Sequence, residues 1–307
     1  MIRSIAIFAL TLLICLIIFL ARVAQKGKNQ VQDSVTSTAE TSVVSVRSGD
    51  SPLVLAIPHA GTDLPPEISA QLNETGRGLS DTDWHIDRLY ADLVPGASVV
   101  SARFHRYVID ANRDPSGASL YPGQNTTTLV PLTDFDGTPL WTTPPTEADT
   151  AQRLAQFHAP YHAALSAEIA RIHALYGFVF IYDCHSIRSE IPFLFDGRLP
   201  DFNIGTNNGT TCAPALAALA ERHCTAASGY TTITNGRFRG GWTTRHYGRP
   251  EAGFHAIQME LAQATYMHEA PPWDYVPDRA ARLRAVLGPM LRDIAALDLT
   301  DTTLTTD

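Results

Sequence analysis

Two histidines, a glutamate and a set of arginines are the residues whose placement in this sequence suggests chemistry. In LAIPHAGTDLP, His59 follows directly on the apolar run 52–57. Such a short run reads as a buried strand, and ligands of open α/β sheets gather beyond the carboxyl ends of strands. In FVFIYDCHSI, a second apolar run ends in Asp183, Cys184 and His185. The period of two puts Asp183 and His185 on one side of that strand. Asp183 therefore either orients the imidazole or is itself a ligand. A lone strand-end histidine is as readily a loop residue with one hydrogen bond. Two of them, far apart in the chain, favour an open zinc site.

Carboxylates and arginines extend the pattern. DTDWHIDRLY carries Asp81, Asp83 and Asp87 at the start of a helix expected over 82–93. Asp83 and Asp87 share a helical face, so one of them could complete a His, carboxylate, His set. Capping and the helix dipole account for Asp81 and Asp83, but not for Asp87 one turn further in. Glu260 stands in the apolar run 255–261, where a carboxylate is costly unless paired or functional. Next to an activated water it would be a general base, with a salt bridge to arginine as the competing account. RFHR supplies Arg106, and the run 107–110 reads as a strand leading to Asn112 and Arg113. NGRFRGGWTTRHYGRP adds Arg237, Arg239, Arg245, His246 and Arg249 among glycines. Guanidinium binds carboxylate in bidentate fashion, and glycine lets backbone approach a ligand. Arg239 and Arg249 read as surface residues. His158 and His162 are four apart, but they lack the acid of an HExxH motif and have Pro160 between them, so they are set aside as a metal half-site.

Strands expected at 52–57, 97–102, 107–110, 178–182 and 255–261 alternate with helices over 82–93, 147–176, 213–227 and 278–297. Pro160 must break or kink the second helix. This alternation predicts a three-layer α/β/α domain with a mainly parallel, mixed central sheet. Residues 112–145 are rich in Pro, Gly, Thr and Asn and read as a functional loop. The 307 residues are 45% hydrophobic, enough for a sizeable core. A net charge of -8 and a pI near 5.7 give a nucleic-acid partner no support, and leave anion binding to local arginines. Four cysteines without a CxxC pair argue against a disulfide scaffold or a thiolate zinc knuckle.

Residues 4–21 contain no charged side chain and are long enough to span a bilayer. Small residues are missing from the -3 and -1 positions of a cleavage site. The organisation expected is an uncleaved anchor over 1–24, a flexible polar linker over 25–45 and a single catalytic domain over 46–307. Arg22, Lys26 and Lys28 outnumber Arg3 across the apolar run, which tilts the domain toward the cytoplasmic side of a membrane. A start codon assigned too far upstream would instead leave a cytoplasmic protein.

IPHAGTDLP, LSDTDWHIDRLY, RYVIDANR, LYPGQNTT, YDCHSIRSEIP, FNIGTNNG and GRFRGGWTTRHYGRP, in this order, resemble the N-formylglutamate amidohydrolase family. The resemblance runs from about residue 44 to near the C-terminus. It implies a fold similar to zinc carboxypeptidases, with Zn2+ held by His59, Asp87 and His185. The HxxE pairing of carboxypeptidases is absent, since Thr62 stands three after His59, and Asp83 is the substitute for Asp87. The resemblance makes Glu260 the catalytic base and Asn112-Arg113 a grip on a substrate carboxylate. The expected reaction is hydrolysis of N-formyl-L-glutamate to formate and glutamate. Arg106 or Arg113 would steady the oxyanion, Arg113, Arg237 and Arg245 would clamp the two carboxylates, and His246 would be a further acid or substrate donor. The rival expectations are another N-acyl amino acid or peptide substrate, or a membrane-tethered dicarboxylate-binding protein without chemistry. The N-terminal segment departs from the soluble form typical of the family.

Overall fold

The computed structural model describes residues 42–120 and 123–299. The expected anchor and most of the expected linker lie outside these residues. Among the described residues, no helix is long and apolar enough to cross a membrane.

The chain begins with β1 (Val44–Arg47) and β2 (Leu53–Ile57), followed by the short helices α1 (Pro66–Gln71), α2 (Glu74–Arg77) and α3 (Ile86–Tyr90). Then come β3 (Ser98–Ala102), a long irregular stretch, and α4 (Glu147–Arg153), which passes through a π turn (Leu154–His158) into α5 (Ala159–Tyr176). β4 (Val179–Ile187), β5 (Phe202–Gly205), α6 (Pro214–Ala226), β6 (Thr232–Thr234), α7 (Trp242–Tyr247), β7 (Phe254–Ala262) and α8 (Pro277–Ala295) complete it. The sheet order is β1-β3-β2-β4-β7-β5-β6. β3, β2, β4 and β7 run parallel, while β1 and the β5–β6 pair run against them. The α/β fold with a mixed, mostly parallel sheet is as expected.

Alternation along the central strands explains both the layers and the site. Leu53, Leu55 and Ile57 of β2, Tyr182 and Cys184 of β4, and Ile257, Met259 and Leu261 of β7 all enter one apolar cluster. α8 packs there through Leu283, Leu287, Met290, Leu291 and Ile294. The opposite face is apolar only part of the way. Val54, Ala56, Val179, Ile181 and Ala256 pack with Tyr161, Leu165, Ile169 and Ile172 of α5. Beyond them the same face turns polar, as Asp183 and His185 on β4 and Gln258 and Glu260 on β7. His185 and Glu260 are register partners. From β2 the chain moves to β3 on one side, and later to β4 on the other. The crevice beyond β2 and β4 is thus a topological switch point.

Several local expectations are corrected. Residues 107–110 form a buried turn instead of a strand, and the helix expected over 82–93 shrinks to α3. His85 takes a left-handed conformation (φ 62°) just before α3, so 81–84 is a loop turned inward. Pro160 does not break its helix. Lacking an N–H, it is accommodated by the π turn, in which Ala159 N–H donates back to the Leu154 carbonyl. β1 starts inside the expected linker, and the short strands β5 and β6 were not expected.

Candidate active site

His59 lies just beyond β2 and His185 within the last turns of the β4 pleat, both almost wholly buried. Their Nδ1 atoms are 3.2 Å apart. Asp83 completes the group, with Oδ2 3.1 Å from His185 Nδ1 and 3.8 Å from His59 Nδ1. The loop that carries Asp83 is tied down from both sides. Asp83 N–H donates to the His59 carbonyl, and Ser186 N–H donates to Asp83 Oδ2. Arg106 Nη2 donates to the other carboxylate oxygen at 2.7 Å.

The far side of each imidazole is also occupied. His59 Nε2 donates to Asp110 Oδ1 at 2.7 Å, which leaves the Nδ1 lone pair facing the group. His185 Nε2 lies 3.0 Å from Asp183 Oδ1 and 2.9 Å from Asn112 Nδ2. One neighbour accepts and the other donates, so the ring can hold either tautomer. A cation at Nδ1 requires the Nε2–H form, with Asp183 as acceptor. Asp110 Oδ2 has no hydrogen-bond partner, though Arg113 and Arg106 stand 3.7 and 3.9 Å away.

Protonation follows from burial and neighbours. Burial, helped by Arg106, lowers His59 to about 4, so it is neutral near pH 7. Burial also opposes charge on His185, but Asp183 and Asp83 outweigh it and raise its pKa well above the usual value. Burial would raise Asp83, yet Arg106 and His185 hold it low. Two imidazole nitrogens and a carboxylate, converging within 4.8 Å, fit a divalent metal ion. Glu260 behaves differently. Burial pushes it up to about 8, against the pull of His185, with Asp83 adding to the rise. Gln258 Nε2 donates to Glu260 Oε2 at 3.0 Å and its Oε1 accepts from Gly241 N–H.

These side chains open onto a cavity of about 80 Å³, lined by His59, His185, Glu260, Arg106, Arg113 and Arg237. Thr127 closes one side of it and accepts from Arg113 Nη2 at 2.8 Å. Arg237 donates to Gln124 Oε1 and the Asn125 carbonyl on the same loop. Asn112 also lines the cavity, and a Cβ added at Gly241 would fall 2.3 Å from its Nδ2. A larger open groove of about 800 Å³ runs along α6 and α8, but no buried carboxylate or arginine enters it.

The structure thus gathers His59, His185, Glu260, Arg106, Asn112, Arg113 and Arg237. It does not bring the other expected residues to the cavity. Asp87 is exposed on α3, and Asp83 takes its place beside the histidines. The αL turn at His85 delays the helix start and turns Asp83 inward. Arg245 donates to the carbonyls of Gly240 and Leu120 and is not among the residues that line the cavity. His246 is exposed and stacks on Trp242. Asp110 and Gln258 were given no role. Asp110 stood in an apolar run, and Gln258 stood two before Glu260 on the same strand face, which were the available signals.

A family model described as N-formylglutamate amidohydrolase matches residues 51–267. The chain belongs to that family. It is 48% identical over 258 residues to the N-formylglutamate deformylase of Pseudomonas aeruginosa, covering 83% of this chain and 96% of that protein. The N-formylglutamate deformylase of Pseudomonas putida is 46% identical over 259 residues, with the same coverage. Among solved structures, the N-formylglutamate amidohydrolase of Ralstonia eutropha JMP134 superposes with a TM-score of 0.70 at 28% identity, covering 83% of this chain and 97% of the other. The Atu2144 gene product of Agrobacterium tumefaciens, 21% identical, shares the fold (TM-score 0.63) over 84% of this chain and 98% of its own.

Proposed function

We propose that this chain hydrolyses N-formyl-L-glutamate to formate and L-glutamate with the help of a divalent metal ion, zinc being the best match to its donors. The observation that carries the reading is the buried His59, Asp83, His185 group facing Glu260 in a cavity with three arginines. The 48% identity to a deformylase supports the choice of substrate. A binding protein for dicarboxylates would need the arginines, but neither the converging imidazoles nor a buried glutamate.

A divalent ion held by His59, Asp83 and His185 would polarise the formyl carbonyl and acidify water. The chain's own residues do the rest. Glu260 receives the proton of the attacking water and returns it to the leaving amine nitrogen, as formate departs. Its burial-raised pKa suits both halves of that exchange. Arg106, fixed by Asp83, lines the cavity and can steady negative charge developing on the carbonyl oxygen. Arg113 and Arg237 supply donors for the two substrate carboxylates, while Asn112 holds its place against His185. The apolar run at 4–21 supports attachment of this domain to a membrane.

Formate release from N-formylglutamate, measured before and after chelation and again after zinc is restored, tests this reading. Chelation should abolish release and zinc should return it. Equal turnover of other N-formyl or N-acetyl amino acids would remove the substrate assignment. No formate under any condition would remove the function.

A further inference from the structure

His158 and His162, which have no metal role, lie on the far side of Asn112 from the catalytic group. His162 Nε2 donates to the Ala111 carbonyl at 2.7 Å, and its Nδ1 accepts from the Tyr247 hydroxyl at 3.0 Å. His158 Nε2 donates to the Arg113 carbonyl at 3.1 Å. These two carbonyls bracket Asn112. Both imidazoles are buried, with ring centroids 4.4 Å apart, and Trp242 packs on them at 5.6 and 4.5 Å. Burial lowers His162 to about 3, so it is a fixed donor and acceptor at any working pH, not an acid.

The segment carrying Asn112 has no strand or helix of its own to satisfy its carbonyls. Side chains must do so when such backbone is buried. The helix that supplies them departs from regular geometry where it does so, since the π turn ends on His158 and Pro160 follows. Such bulges recur at functional sites. On the cavity side, Asn112 Nδ2 meets His185 Nε2, its Oδ1 accepts from Thr243 N–H, and Arg113 reaches the cavity wall.

We propose that His158 and His162 are positioning residues for the Asn112-Arg113 pair, His162 fixing the peptide that enters the pair and His158 the peptide that leaves it. The proposal rests on the reading of the cavity as a formylglutamate site. His162, through Ala111, sets the amide against His185 and acts on turnover. His158, through Arg113, sets the guanidinium and acts on substrate affinity.

The test compares His162→Phe and His158→Phe, which keep a ring but lose the donor, with His162→Gln and His158→Gln, which restore one. His162→Phe should lower kcat about tenfold with KM within about twofold, the size expected for one lost hydrogen bond. His158→Phe should raise KM about tenfold and weaken glutamate binding by calorimetry to match, with kcat nearly unchanged. Each Gln variant should recover most of the loss. Should the Phe variants fail to fold, Tyr247→Phe frees the His162 ring and should lower kcat about threefold at unchanged KM. Folded variants with kcat, KM and glutamate affinity all within twofold of wild type would overturn the proposal. So would parallel losses in kcat and KM that Gln does not rescue. A wild type that binds glutamate but releases no formate overturns the assigned reaction instead. The His158→Phe loss of glutamate affinity would still be expected there, and an unchanged affinity would sink the positioning role as well.

Discussion

At the amino-terminal end of β3, Glu168 of α5 accepts from Ser98 Oγ at 2.6 Å, from Ser48 Oγ at 3.2 Å and from the guanidinium of Arg171. Arg171 also donates to the Gly49 carbonyl. At the carboxyl ends of β2, β4 and β7, the second buried polar cluster joins His59, Asp83, Arg106, Asp110, Asp183, His185 and Glu260. In the first cluster both carboxylate oxygens are engaged, and hydrogen bonding from Arg171 holds Glu168 down to about 2. In the second, two imidazole nitrogens face each other, Asp110 Oδ2 has no hydrogen-bond partner, and Glu260 is pushed up to about 8. A satisfied polar network stabilises a fold, whereas an unsatisfied one costs stability and is kept where a ligand completes it. The contrast separates structural charge from charge proposed for catalysis without reference to any relative.

The comparison breaks first at Glu260. Glu260→Gln should leave metal content unchanged, by elemental analysis, and cut kcat by ~10²–10⁴-fold, the usual worth of a general base. Near-wild-type turnover with metal bound would mean that its raised pKa reflects burial alone. Next comes Arg237, whose donors reach the cavity loop. Arg237→Ala should raise KM by roughly 10–100-fold, as expected when a charged hydrogen bond is lost. A fall in kcat at constant KM would move it from recognition to chemistry.

A smaller effect is expected at Gly241, because its missing side chain makes room for Asn112. Gly241→Ala must displace that amide or the backbone, at a cost of about 1–3 kcal/mol for overpacking. Turnover should fall about tenfold while zinc still binds. Unchanged kinetics would show that Asn112 need not hold its place beside His185.

Much of the candidate site was legible because the strands that carry it are apolar and its members interrupt them. His185 and Glu260 stand out against Phe180–Tyr182 and Ala256–Ile257, and the period of two places Asp183 with His185. Asp83 was legible only as the substitute for Asp87. Reading 82–93 as one regular helix made Asp83 a capping residue and Asp87 the inward acid. One αL residue at His85, which no glycine announces, reverses that assignment. Arg245 and His246 went astray for a related reason. Both lie on the short α7, whose facing is set by tertiary contacts such as Trp242 on His162 and not by its own pattern. The Glu168 cluster went unread because its serine partners are 70 and 120 residues away in the chain.

That cluster supplies the smallest expected effect on activity and the sharpest control. Glu168 has its pKa lowered on folding, from 4.5 to about 2, so it contributes stability above pH 4.5 that is lost as the pH falls through about 2. Wild-type Tm should therefore drop over this window, and Glu168→Gln should drop less, since it has no proton to gain. At pH 7 the variant should melt roughly 2–6 °C lower, the shift expected for one or two kcal/mol in a domain of this size. Its kcat and KM should stay within about twofold of wild type. Calorimetric scans from pH 2 to 7, run beside formate release, read both quantities. A variant with wild-type melting but impaired turnover would mean that the two clusters communicate through α5. The partition of buried charge into a structural and a catalytic set would then fail, because α5 also carries His162 and meets Ala111 beside the catalytic group.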